Sequence, residues 1–230
     1  MALLHHEVRG SRRPTRWGAT DEEVAELFPH AEVVPEGKRS RTTAVTIDAT
    51  PEQVWPWLVQ MGWDRGGWYS WDLLDNRGRR SAQAVHPEWQ DVAIGDQLKF
   101  CALGRVVDAY RVVVIEPNRF FGLYGYTTYG GRWLDPSEPR PRSYMEGLWG
   151  FWLKELADGR TRLVIGGYQT YRPGWVERFV ASWFWILVAW PMQARMMAVL
   201  KRTVEQANRA PGPTMTHKDS LRAGSQKLSA

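Results

Sequence analysis

Apolar residues recur with two different periods along this chain, and the change of period divides it. Thr20-Asp21-Glu22-Glu23 precedes Val24, Leu27 and Phe28, which predicts a short helix with Thr20 at the N-cap and Glu23 at the reciprocal capping position. Thr42 to Ile47 alternates as a strand does. Thr50-Pro51-Glu52-Gln53 repeats the cap signature with proline at the first helical position, and Val54, Trp57, Leu58 and Met61 follow at helical spacing until Gly62. From Gly95 onward the period shortens to two. Strands are predicted at Gln97–Leu103, Val106–Ile115, Arg119–Gly125, Leu148–Leu156 and Arg160–Tyr171, with turns at Gly104, Pro117-Asn118 and Asp158-Gly159. Trp175–Asn208 carries one proline, Pro191, and reads as a long helix bent or broken there. A strand with two helices, then an antiparallel meander, then one long helix gives an α+β fold. A curved sheet closing on one helix cannot easily fill its own concavity, so the pattern predicts an apolar cavity between them.

Charge locates the domain. Residues 1–16 carry four arginines against Glu7, and residues 209–230 carry Arg209, Lys218, Arg222 and Lys227 against Asp219, so each end is +3. The whole chain is +5, which leaves −1 over residues 17–208. Two disordered basic tails, 1–16 and 209–230, therefore flank one neutral domain, 17–208, and this excludes the charged folded face of a nucleic-acid binder. Basic tails still suit an anionic lipid surface. Cys101, the only cysteine, excludes an internal disulfide and thiolate-rich metal sites and fits a cytoplasmic location. The opening MALLHHEVRGSRRP has too short an apolar run for a secretory signal.

The run VTIDATPEQVWPWLVQMGWDRGGWYSWDLLDN (Val45–Asn76), followed by Ser81-Ala82, Pro87-Glu88, Gln90 and Ile94-Gly95-Asp96, resembles members of the SRPBCC superfamily, the START-like or polyketide-cyclase-like helix-grip proteins. Trp17 to Glu23 looks like the leader of that subgroup, and Thr161-Arg162-Leu163-Val164 like its later strand. The resemblance is dense through Asp96 and thin across residues 127–147 and 174–195. It implies a curved antiparallel sheet wrapped around a long C-terminal helix, with a deep pocket between them for a small hydrophobic molecule such as a lipid, polyketide or aromatic metabolite. It supplies no catalytic motif to carry over and implies no cofactor.

Candidate ligand contacts follow from the large aromatics. Gly62, Gly66 and Gly67 let the backbone turn sharply while Trp68, Tyr69 and Trp71 offer flat surfaces, either as a pocket wall or as a lock between helices and sheet. The two-residue period of Leu148–Leu156 puts Trp149, Phe151 and Leu153 on one face and Trp152 and Lys154 on the other. If the first face is concave, Trp149 and Phe151 line the cavity with Trp133 and Tyr168. Met192 and Met196 offer an adaptable wall from the terminal helix. Asp64 and Arg65 read as a local ion pair, and Asp72 as the N-cap of a second helix.

Candidate chemistry is sparse. His5, His6 and His217 lie in the tails, so His30 and His86 have no paired ligand spacing and no metal is expected. Ser70 lacks a nucleophile elbow, and the glycines of residues 124–131 form no phosphate loop. An enzyme of the cyclase, dehydratase or hydrolase type acting on the same ligand is the alternative, with His86, Tyr69 or Asp96 moving protons. A third reading rests on Phe179–Ala194, sixteen residues without charge that hold Trp183, Trp185 and Trp190. That run is too short to span a bilayer, which takes ~20 apolar residues, but suits peripheral attachment through residues 179–190.

Overall fold

The computed structural model describes residues 16–102, 105–129, 132, 134, 138–176, 183 and 185–209. Most of both expected tails lies outside the described residues. The chain runs α1 (Asp21–Ala25), β1 (Lys38–Arg39), β2 (Thr43–Ile47), α2 (Pro51–Val59), α3 (Asp72–Asp75), β3 (Gln97–Ala102), β4 (Arg105–Glu116), β5 (Phe120–Thr127), β6 (Tyr144–Glu155), β7 (Thr161–Arg172) and α4 (Trp190–Arg209). Strands β3 to β7 form the expected meander. β1 and β2 pair one after the other with β7, giving an open seven-stranded antiparallel sheet in the order β1-β7-β6-β5-β4-β3. α4 packs on its inner face, which makes the molecule α+β with the helix-grip arrangement.

Both predicted capping boxes are present. The Thr20 amide donates to Glu23 Oε2 at 2.8 Å and the Glu23 amide to Thr20 Oγ1 at 3.2 Å, while Thr50 and Gln53 exchange the same pair of bonds. Pro191 is the second residue of α4 and follows directly on a π-helical turn, Trp185–Ala189, so the regular helical ladder is interrupted beside the proline, where the bend or break was expected. Of the long helix expected from residue 175, residues 175, 176, 183 and 185–209 are helical, and residues 177–182 and 184 lie outside the described residues. β1 had no periodicity to announce it.

Strand alternation splits the apolar residues into two layers. The inner face gathers Val112, Phe121, Leu123, Phe151, Leu153, Leu163 and Ile165 with Val54, Trp57 and Leu58 of α2 and Met196, Met197, Leu200 and Val204 of α4. The outer face gathers Phe120, Tyr124, Tyr126, Leu148, Val164 and Tyr168, covered by Phe28 and Val34 from the N-terminal segment. Polar contacts tie α4 to β2: Gln193 Nε2 donates to Thr43 Oγ1, and Lys201 Nζ donates to the Thr46 carbonyl at 2.7 Å.

One buried arginine fastens the N-terminal segment to the outer face. Arg162 on β7 donates to both carboxylate oxygens of Glu23 (2.6 and 2.8 Å), to the Gly18 carbonyl (2.6 Å) and to Thr46 Oγ1 (3.1 Å). Burial alone would raise the Glu23 carboxyl, but the Arg162 bonds and the Thr20 amide hold it below its ordinary value. Removing the cation leaves that carboxylate buried without its partner. Arg162→Ala is expected to cost roughly 3 kcal/mol of stability in chemical denaturation at pH 7, and an unchanged midpoint contradicts this role.

Candidate functional site

The inner face is not filled evenly. At the α2 end the inner-face side chains close the core, whereas towards the open ends of β5, β6 and β7 a cavity of about 450 Å³ remains between sheet and α4. Its shape follows from missing side chains. Gly125 on β5 and Gly147 on β6 are direct cross-strand partners, both on the inner face and both bordering the cavity. A Cβ at Gly125 would meet the Tyr110 ring at 3.2 Å, and one at Gly147 would meet the Tyr168 carbonyl oxygen at 3.1 Å. Two bare positions side by side leave the floor open.

An aromatic wall stands beside that floor. Trp68 stacks on Trp149 with centroids 5.7 Å apart and planes at 23°, Tyr110 lies 5.4 Å from Trp149, and Phe100 lies 6.0 Å from Trp68. All four border the cavity, as do Met192, Met196 and Gln193 of α4. Trp68 Nε1 donates to the Lys99 carbonyl at 3.1 Å, which fixes its ring, but the buried Trp149 Nε1 has no acceptor among the described residues.

The loop before α3 sorts its side chains in two directions. Tyr69 sits at φ 54°, in the left-handed region, with Trp68 and Ser70 facing the cavity and Tyr69 wholly buried in the core. Gln60 Nε2 donates to the Tyr69 hydroxyl at 2.7 Å, and burial pushes that phenol well above its ordinary value. Gln60 also donates to the Ala84 carbonyl and accepts from the His86 amide, so one buried amide pins the whole of this loop. The loop is both readings at once: Trp68 is wall and Tyr69 is lock.

Asp75 closes the cavity on the α3 side, a placement that no local pattern signals. In Asp72-Leu73-Leu74-Asp75 the usual order is inverted, for Leu73 is 78% exposed and Leu74 41%, while Asp75 is 0% exposed and borders the cavity. Neither of its carboxylate oxygens has a hydrogen-bond partner among the described residues. Burial, and then the charge of Asp72, push its carboxyl up to about 6, against which the Ser70 hydroxyl and the amides of Asp75 and Trp71 are too weak. The Ser70 hydroxyl itself donates to the Met192 carbonyl at 3.2 Å.

Several expected sites lie elsewhere. Trp71 is 44% exposed, with the Arg195 guanidinium 4.1 Å from its ring centre, and does not border the cavity. Phe151 is fully buried and fills core where a lining role was expected. Tyr168 touches the cavity boundary, but its side chain belongs to the outer layer, where its hydroxyl donates to the Phe28 carbonyl at 2.7 Å. Trp133 lies outside the described residues. His86 stacks on Trp89 at 4.4 Å and holds Glu88 at 3.2 Å, and Asp96 accepts from the Ala93 amide in a turn, so neither reaches the cavity. Asp64 pairs with Lys99, not with Arg65, and Arg65 donates to the Trp89 carbonyl. Asp72 is the first residue of α3 and Trp71 its cap; Asp72 Oδ1 instead accepts from the Ser81 amide and hydroxyl.

Among solved structures, similarity is found to a polyketide-cyclase-like protein of Corynebacterium glutamicum, with 16% identity over 79% of this chain and 99% of that one and a TM-score of 0.36. A protein of unknown function from Staphylococcus aureus has 12% identity over 76% and 99%, with a TM-score of 0.45, and one from Mesorhizobium loti 20% over 72% and 98%, with 0.40. No family model matches the chain, and no curated protein is found similar to it. Strand order and the position of α4, not these overlaps, define the architecture. The chain has a helix-grip fold, an open antiparallel sheet with a long C-terminal helix on its inner face.

The Asp75 carboxyl binds its proton more tightly folded, near 6, than unfolded, near 3.8, so the folded state gains from it at acid pH and loses that gain as pH rises from about 4 to about 6. Asp75→Asn removes the buried charge. The variant is expected to match the native protein in stability below pH 4 and to exceed it by ~1–3 kcal/mol above pH 6.5, measured by urea denaturation across that range. A constant difference between the two proteins at all pH values contradicts the assignment.

Proposed function

We propose that this protein binds a small apolar molecule in the cavity between α4 and the inner face of β5 to β7. The observation that carries the reading is the pair Gly125 and Gly147, which keeps the floor bare beside an aromatic wall. About 450 Å³ falls in the range of small-molecule sites, ~300–1,000 Å³. Burying ~300 Å² of apolar ligand surface supplies roughly 7 kcal/mol before ordering costs, enough for micromolar binding. Transport or storage needs no more than this. His86, Tyr69 and Asp96, the candidates for moving protons, do not border the cavity, which favours binding over chemistry built on them.

A lipid surface as partner is a second reading, favoured by a patch at the start of the helical C-terminal region. Trp183 is 66% exposed and Leu187 67%, and the next residue, Val188, is both exposed and part of the cavity boundary. No helix among the described residues is long and apolar enough to cross a membrane, so the contact proposed is peripheral. Ligand exchange through such a mouth would spare an apolar molecule the passage through water.

Two measurements separate these readings. Uptake of the neutral fluorophore N-phenyl-1-naphthylamine is expected in the native protein and is expected to vanish in Gly125→Leu, whose side chain occupies the floor and displaces only the Tyr110 ring. Equal uptake by a folded Gly125→Leu protein contradicts the cavity reading. Sedimentation with vesicles containing anionic lipid is expected to carry the native protein down and to leave a Trp183→Ser/Leu187→Ser protein in the supernatant; no sedimentation of the native protein ends the membrane reading alone.

A further inference from the structure

Asp75 is a buried carboxylate neither of whose oxygens has a well-formed hydrogen bond among the described residues, the Ser70 hydroxyl and the amides of Asp75 and Trp71 being only weak neighbours, on the wall of a cavity that is otherwise mainly apolar. Such a group is costly to keep unless something satisfies it. No cation is among the charges that act on it, and the cations of the neighbouring segments are committed elsewhere. Arg195 of α4 lies on the Trp71 ring and donates to the Ser70 carbonyl at 2.8 Å. Lys99 of β3 pairs with Asp64 at 2.9 Å, and Arg79, after α3, donates to the carbonyls of Trp63 and Arg65. Asp72, on the same helix, adds a second negative charge and is itself turned to Ser81.

The same cavity offers a second feature that attracts positive charge. Trp68, Trp149, Tyr110 and Phe100 present π-faces and edges along one wall, and a cation over such faces gains further when water is excluded. An unsatisfied carboxylate and an aromatic wall around one apolar space complement one chemistry.

Building on the cavity reading above, we propose that the ligand is an apolar amine, held by its hydrocarbon part over the bare floor and by its cationic nitrogen against Asp75. The ammonium supplies the strong hydrogen-bond donor that Asp75 lacks among the described residues, and it cancels the charge that burial penalises. Below pH 5 Asp75 is protonated and the preference for a cation disappears. Arg41 also borders the cavity, from the β1–β2 connection, and burial lowers its guanidinium from the ordinary value. It represents the opposite choice, an anionic ligand.

Calorimetric titration of the full chain with decylamine, decanol and decanoate, at pH 7.5 and pH 4.5, decides between them. The three probes share one chain and differ in the head group. Decylamine is expected to bind at least ~10-fold more tightly than decanol at pH 7.5, the size of one charged hydrogen bond in a dry site, and to lose that advantage at pH 4.5. In Asp75→Asn the advantage is expected to vanish while decanol affinity is unchanged. Equal affinity for amine and alcohol in the native protein at pH 7.5 overturns the inference and leaves the cavity reading standing. So does tighter binding of decanoate, which assigns the polar end to Arg41. If none of the three binds, the cavity reading itself fails and the inference falls with it. The comparison among probes uses the native protein, so it holds even if the variant does not fold.

Discussion

One helix can cover only part of the inner face of a seven-stranded curved sheet, and this mismatch governs the rest of the structure. α4 lies against β2 and is tied to it through Gln193 and Lys201, with α2 packed alongside, so the β2 end of the concavity is closed by Trp57, Leu58, Phe151 and Leu200. At the other end the sheet continues beyond α2, and only the start of α4, with Met192, Gln193 and Met196, stands over it. There the chain either fills the space with large side chains or leaves it open. Trp68 and Trp149 partly fill it, and Gly125 and Gly147 stop the filling from being completed.

The cost of an open concavity is carried by the outer layer and by the loop before α3. Arg162 clamps the N-terminal segment over the outer face, which lets the inner face remain underpacked without the sheet losing its shape. Gln60 does the corresponding work on the other side, fixing Tyr69, Ala84 and His86 with one buried amide so that Trp68 is presented to the cavity in a single orientation. Asp75 runs against this economy. It costs stability at neutral pH as a charge that no cation among the described residues pairs, and the proposed amine would turn that cost into affinity and selectivity.

Much of the scaffold was legible in the sequence because it depends on local signals. Thr20 and Glu23, or Thr50 and Gln53, announce helix starts within four residues, and the alternation through Trp149, Phe151 and Leu153 assigns a sheet face by period alone. The site was less legible because it depends on where a face ends. Trp149 and Phe151 occupy equivalent positions two residues apart, yet one borders the cavity and the other lies in the filled core, a distinction set by how far α4 and α2 extend. Trp71 and Trp68 are likewise alike as residues but diverge at the left-handed backbone of Tyr69. Asp75 was unreadable for a different reason: α3 exposes its leucines and buries its acid, the reverse of the pattern on which amphipathic reasoning rests.

Native mass spectrometry of the protein purified without detergent, compared before and after denaturation and after addition of decanol, tests the central claim most directly. The account predicts an excess mass that is stoichiometric, at one molecule per chain, and that denaturation releases, carried from purification or gained on addition. A mass equal to that of the bare chain under all conditions would mean that the space beside Gly125 and Gly147 holds no ligand, and would contradict the account.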